Sequence, residues 1–207
     1  MTMAAGPAVT RRSRSDGERS RRAILLAAAN LSATRGLDRV SIAELAEHAG
    51  MSKSGLYAHF GSKEELQLAT IETAREIYDR EILEPARSAA PGVDTLLALA
   101  EGFIDHLEHR VFAGSCFFAS AASELRGTPG AVRDRLAAFQ AGWMALLTEH
   151  ATMARQAGDL PGEDTVDAIV FDIESFLMNA HLTFSFNGEP RVLEQARAAV
   201  RRRLRRT

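Results

Sequence analysis

Ser41, Ser52 and Ser62 each open a run of helix-forming residues, and the intervals between them hold helices of barely two turns. In SIAELAEHAGMSKSGLYAHFGSKEEL, residues 41 to 66, Ser41 is followed by Glu44 and Ser62 by Glu65. These are capping boxes, in which the hydroxyl accepts a first-turn backbone N–H and the carboxylate reaches back toward the cap. Ser52 is an N-cap by residue type. Gly50 provides the left-handed backbone that ends one helix, and Gly61 ends the next. Ile42, Leu45, Ala46 and Ala49 repeat at helical spacing, as do Leu56 and Phe60. The pattern predicts a helix-turn-helix, with a further helix leaving from Lys63.

The second helix is short and opens on small polar residues, Ser52, Lys53, Ser54 and Gly55, so its first turn can approach base edges in a DNA groove. Ser41, Tyr57, His59 and Lys63 are placed to meet phosphate oxygens, for which Tyr and Lys are common donors. The competing reading, an ordinary packed helix pair, leaves that concentration of polar residues unexplained. Tyr57, His59, Phe60, Lys63, Glu64, Glu65 and Leu66, together with Gly36, Ser41 and Gly50, resemble the DNA-binding signature of the TetR family of transcriptional regulators. The resemblance spans roughly Arg22 to Leu68 and thins to length, helical content and layout beyond that. It implies a homodimeric repressor on an inverted-repeat operator in double-stranded DNA, released when a small molecule binds the C-terminal domain.

Composition agrees with that class. β-branched residues are sparse against Ala and Leu and few runs alternate with period two, so an all-α fold is expected. The net charge of −2 hides an asymmetry: residues 1–63 carry ten Arg or Lys against five Asp or Glu, whereas the remainder carries fifteen against twenty-two. Only the first third suits a phosphate backbone.

Three segments are expected: a disordered basic arm over 1–14, a helix-turn-helix domain over 15–65, and a helical effector-binding and dimerisation domain over 66–207. Ser15 with Glu18 reads as the cap of a first helix near 16–35, with Ile24, Ala27, Ala28 and Leu31 as its core stripe. Arginines ahead of AILLAAANL imitate a signal peptide, but the apolar run is too short for a membrane span and continues this helix. A cytoplasmic protein without membrane contact is expected. The single cysteine, Cys116, fits a reducing compartment and reads as a packed apolar residue between aromatic neighbours.

A helix from Lys63 should halt at Pro85 and act as the lever between domains. Further helices are expected near 92–109, 115–126, 130–157, 164–186 and 190–205. Their aromatic and sulfur-bearing residues, including Met144, Phe171 and Met178, suggest a cavity for a small apolar or amphipathic effector. Its candidate lining is Phe103, His106, Leu107, Phe117, Phe139, Trp143 and Phe176, with Ser120, Glu124 and Asn179 as further polar groups beside His106. The last two helices are expected to pair two subunits through Ile169, Ile173, Phe176, Leu177, Ala180, Phe184, Val192, Leu193, Ala196, Ala199 and Val200. His106 and His109 stand at i and i+3, but no third metal ligand accompanies them, and no phosphate loop or nucleophile elbow stands out. No metal, no cofactor and no enzymatic activity are expected.

Overall fold

The computed structural model describes residues 8–204 except 115, 126, 128, 161 and 162, and of residues 8–16 the backbone only. Every element among the described residues is helical. In chain order these are α1 (Ala8–Arg35), α2 (Ile42–His48), α3 (Lys53–His59), α4 (Lys63–Tyr78), α5 (Val93–Glu108), α6 (Phe117–Leu125), α7 (Ala131–Ala157), α8 (Val166–Asn187) and α9 (Arg191–Leu204). None is long and apolar enough to cross a membrane.

The three serine caps form. The hydroxyls of Ser41, Ser52 and Ser62 accept the N–H groups of Glu44, Gly55 and Glu65, each at 3.1 Å. The carboxylates do not close the boxes as expected. Glu65 accepts from Gly61 N–H at 2.9 Å, one residue ahead of the cap, and Glu44 pairs with Arg35. An arginine at the end of α1 offers Glu44 a charged donor, which outcompetes a backbone amide. Gly50 adopts a φ of 64°, the left-handed turn that redirects the chain between α2 and α3.

Two expected boundaries move. The first helix starts at Ala8, so Ser15 lies inside it and residues 8–14 of the expected arm are helical; residues 1–7 fall outside the described residues. Nor does Pro85 halt the fourth helix. After Tyr78 the chain widens into a π-helical turn, Asp79–Leu83, where Glu84 N–H donates to the Asp79 carbonyl, and a short α segment follows, Glu84–Ala86. Pro85 lies in the first turn of that segment, where a missing N–H is tolerated.

Apolar side chains bury into two clusters. The smaller joins Ile24, Leu25 and Ala28 of α1 to Val40, Leu45, Ala46, Leu56, Phe60 and Leu66. The larger spans α4 to α9 and also takes Ala29 and Ala33 from the next turns of α1. One helix therefore serves both cores, and α1 and α4 pack together along the join.

The last two helices pack tightly, but inside one subunit. Ile169, Ile173, Leu177, Ala180 and Phe184 are buried, as are Leu193, Ala196 and Val200 of α9, while Phe176 and Val192 are half-buried against the same core. The residues expected at a subunit interface are thus largely core. A second apolar face of α8 stays outside: Phe171, Leu182 and Phe186 are 71%, 68% and 89% exposed. Phe171 accordingly does not join an interior cavity.

Candidate nucleic-acid interface

Leu56, fully buried, and Phe60 pin α3 to the small core, and the Arg21 guanidinium covers the Phe60 ring at 4.8 Å. What α3 cannot bury faces outward. Ser52, Lys53 and Ser54 are exposed, Gly55 is half-buried, and Tyr57 keeps half of its surface in solvent. The Ser52 hydroxyl is committed to its cap and lies 3.1 Å from the Ser54 hydroxyl. A side chain at Gly55 would approach Ser52 Oγ to 3.2 Å, so glycine keeps this turn low. His59 is half-buried, its ring 6.2 Å from that of Phe60. Ser41 is exposed at the start of α2.

Lys63 is already engaged. Its ammonium donates to the Asp38 carbonyl at 2.6 Å and to Asp38 Oδ1 at 2.9 Å, yet its side chain is 44% exposed. The hydrogen bond from Lys63 holds the Asp38 carboxyl below its ordinary value. Gln67 donates to the same Oδ1 at 3.3 Å. From the far side, the Glu124 carboxylate on α6 accepts Asp38 N–H at 3.2 Å. Gly36, at φ 95°, makes room for that carboxylate: any Cβ there would collide with it. Glu124 therefore faces the turn between α1 and α2 rather than a cavity. Sequence reasoning missed Asp38, Gln67 and Arg21, because no local pattern announces partners so far along the chain.

The candidate effector residues divide. Phe103, His106, Leu107 and Phe117 are buried in the larger core, and Ser120 is half-buried on α6. Asn179 is exposed on α8. Phe139 and Trp143 line a cleft of about 350 Å³ between the end of α4 and α7, opposite Tyr78. Tyr78 was not among the expected residues, yet its ring stands edge-on to Phe118, Phe139 and Trp143 at 5.7, 5.0 and 5.7 Å. His106 meets Tyr78 at 6.0 Å and Phe112 at 5.4 Å, and neither of its ring nitrogens has a hydrogen-bonding partner among the described residues. Burial pushes its pKa down to about 4, so the ring is neutral at pH 7. His109 turns the other way, with Nδ1 2.8 Å from the Asp105 carbonyl. Among the described residues no three His, Cys, Asp or Glu side chains gather where they could hold a metal ion. Cys116 is buried, which raises its thiol to about 11 and keeps it from forming thiolate.

A short helix that turns its polar first turn to solvent, pinned to a small core and followed by a helix that runs into a larger helical body, defines a helix-turn-helix DNA-binding regulator. Family comparison makes the class specific. Residues 24–70 match the family model described as bacterial regulatory proteins, tetR family, and residues 92–200 match the tetracyclin repressor-like C-terminal domain. The chain belongs to the TetR family of transcriptional regulators, whose members act by binding DNA. It is 28% identical over 159 residues to the transcriptional repressor BepR of Brucella suis, covering 74% of each chain. Over 86 residues it is 34% identical to the transcriptional activator FasR of Mycolicibacterium smegmatis, a match that spans 42% of this chain and only 39% of FasR. In fold it is similar to a TetR regulator from Chloroflexus aurantiacus, with a TM-score of 0.81, 24% identity and coverage of 90% and 94% of the two chains. It is also similar to AibR, solved with isovaleryl coenzyme A and operator DNA, with a TM-score of 0.71, 24% identity and coverage of 89% and 98%.

Proposed function

We propose that the chain is a cytoplasmic, homodimeric repressor that binds an inverted repeat and leaves it when a small molecule occupies the larger domain. The observation that carries the reading is the first turn of α3, exposed and polar while Leu56 and Phe60 fix its back. Ser52, Lys53, Ser54 and Gly55 approach base edges in the major groove. Ser41, Tyr57 and His59 reach phosphates. Lys63 joins them: an ammonium has three donors, Asp38 uses two, and the third is aimed by that grip. The exposed apolar face of α8, with Phe171, Leu182 and Phe186, pairs two copies, so that two reading helices meet half-sites roughly 34–36 Å apart or a multiple. The two domains divide near 65 and 66, with Leu66 of α4 still packed in the small core and Ala29 and Ala33 of α1 in the larger. Repression rather than activation is favoured by the longer match to a repressor. To weaken operator binding tenfold, the effector must prefer the released state by about 1.4 kcal/mol.

The test is selection of duplexes from a random pool by the purified protein at near-physiological salt, where purely electrostatic binding is suppressed. Enrichment of an inverted repeat supports the reading; folded, ligand-free protein that enriches nothing removes it. With the operator in hand, Tyr57→Phe should weaken all sequences alike, since a phosphate contact positions the protein without reading bases. A loss confined to the best operator contradicts that role. For Lys63→Ala the slope of log affinity against log salt should fall by about one unit, and an unchanged slope makes Lys63 a structural staple only.

A further inference from the structure

The turn at residues 36–38 joins α1 to α2, yet much of what holds it belongs to the larger domain. Leu37 is buried in the larger core, and its carbonyl accepts the Gln67 amide at 3.4 Å. Glu124, near the end of α6, accepts Asp38 N–H at 3.2 Å. Gly36 shapes the seat for that carboxylate, because the left-handed φ of 95° and the missing Cβ are both needed there. The chain leading into α6 is tied down as well. Asn30 Oδ1 on α1 accepts Ala113 N–H at 3.3 Å, and a Cβ on Gly114 would come within 2.9 Å of the Thr34 methyl group. Phe117, Phe118, Ala121 and Leu125 bury the other side of α6 in the larger core. This helix therefore stands between that core and the root of the reading head.

Asp38 hands this position on. While Glu124 holds its amide, its carbonyl and Oδ1 accept the Lys63 ammonium at 2.6 and 2.9 Å. A lysine charge rides on a flexible four-carbon stem and settles where its acceptors are. Two short acceptors on one residue leave the third donor of that ammonium a single direction. The backbone of residue 38 thus decides where Lys63 points, and Glu124 decides where that backbone sits. Charge alone argues against a carboxylate at this place. Glu124 is an anion close to a residue that must meet phosphates, and an anion there repels DNA. A neutral residue would serve better unless the carboxylate supports a contact worth more than the repulsion.

We infer that Glu124 is a positioning residue for DNA binding: from the larger domain it fixes Asp38, and through Asp38 it aims the Lys63 ammonium at a phosphate. The inference rests on reading Lys63 as a phosphate contact and gives that contact a route of control. A shift of α6 within the larger core moves the Asp38 amide and turns Lys63 aside, with no change in α3 itself.

Full-length wild type, Glu124→Ala, Lys63→Ala and the double variant are titrated over a series of salt concentrations with the selected operator and with a mixed-sequence duplex, since a phosphate contact serves both. Glu124→Ala should bind about three- to fivefold more weakly at about 0.15 M salt and lose about one unit of salt slope, as the loss of one phosphate contact requires. Lys63→Ala should lose the same unit, and the double variant no more than that, because both changes remove one contact. Glu124→Gln keeps an acceptor for the Asp38 amide and should recover the wild-type slope. A carboxylate that merely sat near DNA gives the opposite sign, with Glu124→Ala binding more tightly. Tighter or unchanged binding by Glu124→Ala, or a double variant that loses two units, overturns the inference. An unchanged slope in Lys63→Ala takes Lys63 off the phosphates and the inference with it. Should Glu124→Ala melt well below wild type, Glu124→Asp replaces it, with the charge kept and the reach cut by one methylene; its slope should also fall by about one unit, and an unchanged slope overturns the inference. The choice of DNA separates this relay from the wider reading. Failure to select an operator removes the sequence-specific regulator and leaves the relay to be judged on the mixed duplex, whereas operator binding with an unchanged slope in Glu124→Ala removes the relay alone.

Discussion

Phe60→Ala should abolish operator binding, lowering affinity by more than about a hundredfold, by releasing the reading helix rather than by removing a DNA contact. Phe60 is 2% exposed and is the one aromatic ring among the described buried residues of the small core. Truncating a buried phenylalanine costs about 3–5 kcal/mol, and a core of this size supplies little more than that in total. The Arg21 guanidinium would lose the ring it covers as well. The larger core shares none of these side chains, so circular dichroism should retain most of the helical signal while operator binding disappears. A Phe60→Ala protein that binds operator within tenfold of wild type would show that α3 does not depend on this anchor.

Acid should weaken the fold through His106. Its folded pKa is about 4 against an ordinary 6.5, so between these values the unfolded chain is protonated at this ring and the folded chain is not. The unfolded state then binds more protons, and stability rises with pH across that window. The contribution is fully present above pH 6.5 and is lost as pH falls toward 4. At 1.36 kcal/mol per pH unit the gap corresponds to about 3 kcal/mol. His181, shifted in the same direction by burial, adds to the trend. Replacing His106 by leucine, close in volume and without polar atoms, should raise the melting temperature at pH 7 and flatten the fall between pH 6.5 and 4.5. Neither ring nitrogen has a partner to lose. Equal acid sensitivity in wild type and His106→Leu would assign the effect to other groups.

What the sequence disclosed was local chemistry. Ser41, Ser52 and Ser62 cap the helices they precede because an N-cap needs only its own hydroxyl and the amide three residues on. Gly50, Leu56 and Phe60 were equally legible, and so was most of the helix order. Ser15 misled for the same reason: a capping residue can also sit inside a helix when residues before it favour one, as Ala8, Arg11, Arg12 and Arg14 do. Pro85 misled because a π turn ahead of it allows the helix to resume. On α8 the sequence carries apolar residues on two faces, and periodicity alone does not say which face meets its own subunit. Ile169, Ile173 and Leu177 went inward and Phe171, Leu182 and Phe186 outward. Glu124 was read as one of the polar groups of the pocket; its partner, the Asp38 amide, lies 86 residues earlier.

The junction at residues 36–38 bears on how far this protein can be taken apart. Lys63 of α4 and Glu124 of α6 both grip Asp38, and α1, which leads into that turn, lends side chains to both cores. A chimera that grafts residues 1–65 onto a foreign body would keep every cap and every exposed residue of α3. It would also strand Ala29 and Ala33 without their packing and leave the Asp38 amide without its carboxylate. The reading head is separable as a pattern of letters but not as a mechanical part, and a working transplant must carry a matching α6 with it.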